Sequence, residues 1–119
     1  MVLFGSLGND KVGVHTGQVG NNLVVAGSLG IDKLIIDKTS VGGSAVVTGG
    51  LGSDSIGLDE NSVADNAIVL GIGKNNVAQI STNNTIGGVS IVNGVTLTSA
   101  TDPLFAQYRN ELFDNLLFN

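Results

Sequence analysis

This sequence predicts an all-β fold: a parallel β-solenoid of about four to five coils of 22 residues, two strands to a coil, followed by a C-terminal amphipathic helix. Three observations carry that prediction. The phrase "GSLGNDKVGV" at residues 5 to 14 returns as "GSLGIDKLII" at 27 to 36 and as "GGLGSDSIGL" at 49 to 58, at an interval of 22 residues each time. Within each interval a shorter phrase occurs twice, a glycine followed two residues later by Asp, Asn or Ser and then by aliphatics, as in "GNNLVVA" from Gly20 and "GIDKLII" from Gly30. Finally, 18 glycines, 13 asparagines and only five aromatic residues make a poor recipe for one conventional core, but they suit a stack of small like units.

The coils follow in order. Residues 1–14 supply the end of a first copy. Residues 15–36, 37–58 and 59–80 align without gaps up to Gly71, and a further copy begins at Thr82, displaced by one residue. In each copy glycine supplies the positive φ of a tight corner, Asp or Asn bonds the corner backbone, and the β-branched pair that follows favours a strand. A unit of two short strands cannot bury its own apolar face, so units must stack like upon like. At about 4.8 Å per rung, some four and a half coils make a body about 22 Å long.

Stacking turns sequence spacing into ladders. Val19, Val41, Val63 and Ile86 line one corner, and Val12, Leu34 and Ile56 line the second strand. On the first strand two adjacent columns are both β-branched: Val24, Val46, Ile68 and Ile91 in one, Val25, Val47, Val69 and Val92 in the other. Side chains alternate across a strand, so one of these columns faces out, and β-branching alone leaves open which. The all-valine column, Val25, Val47, Val69 and Val92, is the expected assembly interface, together with Phe105 and Phe113 of the tail. An outward stripe of this kind is a patch that monomers seldom leave exposed.

Asp10, Asp32 and Asp54 form another column. Like charges stacked at about 5 Å repel, so the column calls for neutralisation by lysine or by a bound cation. Here "GGLGSDSIG" at residues 49 to 57 resembles the calcium-binding nonapeptide of the repeats-in-toxin proteins, G-G-x-G-x-D-x-aliphatic-x. That resemblance implies a calcium-loaded β-roll with Asp10, Asp32 and Asp54 as metal ligands, and type I secretion to the cell exterior without an N-terminal signal. The chain departs from the family in its spacing, which alternates around ten and twelve residues, and in its intervening corners, which offer Asn22, Ser44 and Asn66. Lys11 and Lys33 stand beside two of the aspartates and offer neutralisation without metal. In repeat length and number of strands the architecture also resembles curli-type fibre subunits, without their inward Gln and Asn pattern.

After Thr101 the composition changes. "TDPLFAQYRNELFDNLLFN" holds four of the five aromatics, with Asp102 placed as a helix N-cap and Pro103 at the first helical position. Leu104, Phe105, Tyr108, Leu112, Phe113, Leu116 and Leu117 recur at helical spacing. The expected organisation is therefore a repeat domain over 1–101 and a tail over 102–119 that caps the last coil, docks to another subunit or serves export.

Ten acidic against five basic side chains argue against a nucleic-acid surface and a polybasic membrane anchor. The absence of cysteine excludes disulfides and thiolate metal sites. "MVLFGSLGND" carries neither a charged leader nor a long apolar run, so neither a standard signal peptide nor membrane insertion is expected. His15, the only histidine, shares its repeat position with Asp37 and Asp59 and reads as a solvated corner residue. No nucleophile with a base and an orienting group is identifiable, and no enzyme activity is expected. The expected function is a self-assembling structural subunit of an extracellular filament or matrix layer, stacked head to tail on copies of itself and needing no cofactor. The alternative is a secreted calcium-binding module of the toxin-like kind.

Overall fold

The computed structural model describes residues 1–98, and every regular element among them is a β-strand. In chain order these are β1 (Val2–Phe4), β2 (Lys11–His15), β3 (Gln18–Val19), β4 (Leu23–Leu29), β5 (Lys33–Asp37), β6 (Ser40–Val41), β7 (Ala45–Leu51), β8 (Ser55–Asp59), β9 (Ser62–Val63), β10 (Ala67–Ile72), β11 (Val77–Ile80), β12 (Thr85–Ile86), β13 (Ser90–Asn93) and β14 (Thr96–Leu97). They return in turn to three parallel sheets, ordered β1-β4-β7-β10-β13, β2-β5-β8-β11-β14 and β3-β6-β9-β12. The fold is the expected parallel β-solenoid, with like residues in register: Val2, Val24, Val46, Ile68 and Ile91 form one column of the first sheet. The tail over 102–119, its boundary after 101, Phe105 and Phe113 lie outside the described residues.

The coil differs from expectation in having three walls instead of two. The third is a two-residue strand carrying Val19, Val41, Val63 and Ile86, which the sequence pattern places at a bare corner. A strand that short shows no alternation. Nor is the left-handed residue of the corner before it a glycine: Thr16, Lys38 and Glu60 occupy that region, at φ 51°, 51° and 54°. These are non-glycine residues in a conformation that costs L side chains energy, repeated at the same point of successive coils.

The interior is a set of aliphatic ladders. Leu23 and Val25 on β4, Leu34 and Ile36 on β5, Val41 on β6, Val47 on β7, and Ile56 and Leu58 on β8 belong to one buried cluster. This settles the two-column question and corrects the expected interface. Val25, Val47 and Val69 are at most 1% exposed and line the core, while Val24, Val46 and Ile68 face outward and are half-buried by their neighbours. Val92 continues the inward column but is exposed, being on the last described strand of its sheet. Parity explains the assignment: Leu23, Ala45 and Ala67, two residues before the valines, are also buried, and period-two alternation puts both positions on the same side.

Candidate functional site

The aspartates predicted as a column stand on consecutive rungs at the turn from the first sheet into the second. The Asp10 N–H donates to Asp32 Oδ1 at 2.8 Å, the Asp32 N–H to Asp54 Oδ1 at 2.9 Å, and the Asp54 N–H to Asn76 Oδ1 at 2.8 Å. Asn76 is therefore the next rung, a member that the aspartate pattern does not contain because its carbonyl oxygen performs the same task without charge. Each carboxylate replaces a backbone partner that the corner would otherwise lack.

Only one oxygen of each inner carboxylate is used. Asp32 and Asp54 are fully buried, and their Oδ2 atoms have no hydrogen-bond partner. Gly27 and Gly49 sit directly against those atoms, and a Cβ at either position would collide with the carboxylate. This is why glycine recurs five residues before each aspartate. Burial, aided by the nearby Asp32 charge, pushes the Asp54 carboxyl above the usual carboxylate range, while the N–H from Asp32 pulls the other way.

Two further corner ladders run alongside. At the corner between the second and third sheets, the Thr39 N–H donates to Asn61 Oδ1 and the Asn61 N–H to Asn84 Oδ1, both at 3.0 Å. At the corner leading back to the first sheet, the Ser44 N–H donates to Asn22 Oδ1 at 2.8 Å and the Val89 N–H to Asn66 Oδ1 at 2.9 Å. The predicted Asn22, Ser44 and Asn66 corners thus tie their backbone with uncharged side chains. His15 is not simply solvated: its Nδ1 lies 3.0 Å from Oδ2 of the buried Asp37 on the next coil.

For a cation the donor set is thin. Calcium takes about six to eight oxygens, and each inner rung of the column has one uncommitted oxygen. Among the described residues no group of three or more His, Cys, Asp or Glu side chains is placed to hold a metal ion. The expected result is a β-sheet circular dichroism spectrum and a melting curve that are the same in excess chelator and in added calcium. A calcium-dependent rise in the melting temperature that Asp32→Ala removes would instead assign the column to the metal.

The other candidate surface is the outside of the first sheet. Its strands carry no charged residue. Beyond the half-buried Val24, Val46 and Ile68, it borders a second apolar row at the corner, Leu7, Leu29, Leu51 and Ile72, all exposed. That row was missed in the sequence because each member stands beside a corner glycine, where an aliphatic residue reads as the end of a strand. No family model, curated protein or solved structure matches the chain.

Proposed function

We propose that this chain is a structural subunit that assembles head to tail on copies of itself into an extracellular filament or matrix layer. One observation carries the reading. The first and last described strands of the first sheet, β1 and β13, present members of the same columns, and each is an open parallel edge among the described residues. Continuing the register across a joint would set Val2 of one copy against Ile91 of another and Leu3 against Val92. The second sheet repeats the arrangement, with β2 at one edge and β14 at the other.

An unpaired edge is a template for another strand. The residues at these edges favour occupation: Val2 and Phe4 at one end, and Ile91, Val92 and Leu97 at the other, are exposed large apolar side chains. A contact between two different ends does not close on itself, so it grows a fibre.

Electron microscopy of the purified chain tests this reading. Filaments with a repeat close to the length of one solenoid body are expected, and Phe4→Lys, which places a charge at the edge, should shorten them severely while leaving the β-sheet spectrum unchanged. Discrete particles that do not lengthen with protein concentration would overturn it.

A further inference from the structure

We infer that the outer face of the first sheet is a second, lateral interface, and that its occupant is the same face of another copy of this chain. It is separate from the strand edges, which point along the solenoid axis while this face points across it.

The face is uncharged over five strands and mainly aliphatic, with Thr48 and Asn93 among its outward residues. Five rungs at about 4.8 Å, crossed by strands about 20 Å long, give roughly 400–500 Å² per copy, so two copies bury roughly 900 Å² between them. A single pair thus falls just short of the roughly 1,000 Å² of a stable specific interface, which makes the contact weak and concentration-dependent, and a patch of this size is typical of the largest, often functional, patch on a monomer, roughly 300–600 Å².

Charge selects the occupant. The chain carries a net charge of −5, and two such bodies repel unless they meet where neither presents charge. The lysines and acidic residues of the described coils all lie outside the strands of this sheet. An anionic partner such as nucleic acid or an acidic lipid surface would find no Lys or Arg on those strands to hold it. A second copy meets the requirement from both sides, and it brings rungs of the same spacing. Its outward Val24, Val46 and Ile68 can pack against their counterparts in the sheet-on-sheet manner, about 10 Å apart.

Sedimentation velocity on the full chain over a range of concentrations tests the inference, with Leu97→Lys, which charges an edge of the second sheet away from this face, included in every sample so that end-to-end growth does not mask a closed pair. The expected species is a dimer. Val46→Thr together with Ile68→Thr keeps β-branched strand formers and should raise the dimer dissociation constant at least tenfold without lowering the melting temperature. Because the protein has no cysteine of its own, Val46→Cys adds an unambiguous probe, shielded from a thiol reagent at high concentration and reactive on dilution. A monomer at all concentrations overturns the inference, whether the introduced thiol is freely reactive, as on a bare face, or shielded throughout, as under the chain's own tail. Binding to acidic vesicles that the double threonine variant abolishes would also overturn it. A chain without the edge substitution that forms this dimer but no filaments would count against the head-to-tail reading alone.

Discussion

Val47→Lys unfolds the protein, whereas Val46→Lys, one residue earlier, leaves its melting temperature within a few degrees. Val47 is 1% exposed and stacks between Val25 and Val69 in the middle of the interior ladder. A lysine there must bury an unpaired ammonium or push two coils apart, which costs about 3–5 kcal/mol or more. Small domains hold only about 5–15 kcal/mol in total, so most of the folded population is lost. At position 46 the side chain starts half-buried on the outer face, and a lysine stem can lie along its neighbours with the charge in water. Thermal melting followed by circular dichroism separates the two variants. Equal melting temperatures would mean that the alternation across β7 is not as described.

Asp54→Asn makes the protein more stable, and the gain grows as the pH rises. Asp54 carries a buried charge with one unpartnered oxygen, and its carboxyl is pushed above the ordinary range by burial and by the Asp32 charge. A folded state that holds its proton more tightly than the unfolded chain loses stability as pH climbs from the unfolded value, about 3.9, through the raised folded one. The wild-type protein therefore gains stability from this group on acidification and is destabilised by the charge at neutral pH. Asparagine keeps the oxygen that accepts the Asp32 N–H and replaces the orphan with a donor. The chain already uses this solution on the next rung, where Asn76 Nδ2 donates to the Ile72 carbonyl at 3.2 Å. Removing a buried unsatisfied group of this kind is worth about 1–3 kcal/mol, or an increase of about 4–12 °C in Tm for a body of this size. The comparison is the difference in Tm between variant and wild type at about pH 3, below the unfolded value, and at about pH 8. A difference that is constant or negative across that range would show that the Asp54 charge is better satisfied than its geometry indicates.

The 22-residue period was legible because stacking imposes it on every column at once. Glycine corners, β-branched runs and the aspartate phrase all recur at the same interval, and each independently requires the same coil. The sidedness of the first strand was not legible from its valines. Two neighbouring β-branched columns satisfy strand propensity equally, and only Leu23, Ala45 and Ala67, small or unremarkable in a linear reading, show which is buried. The third wall escaped notice because a two-residue strand between a left-handed Lys38 and Gly42 has too few residues to display a period. At the aspartate corner charge marks Asp10, Asp32 and Asp54 but not Asn76, since what defines the ladder is an oxygen facing the preceding N–H.

The in-register columns also bear on how such a chain varies over generations. Most of a copy such as residues 37–58 meets like residues in the copies on either side. An in-frame duplication of that stretch would insert a rung of about 4.8 Å and present familiar partners both above and below. Recombination between near-identical coding segments would then act as a ruler, setting the body's length in whole steps without redesigning its core.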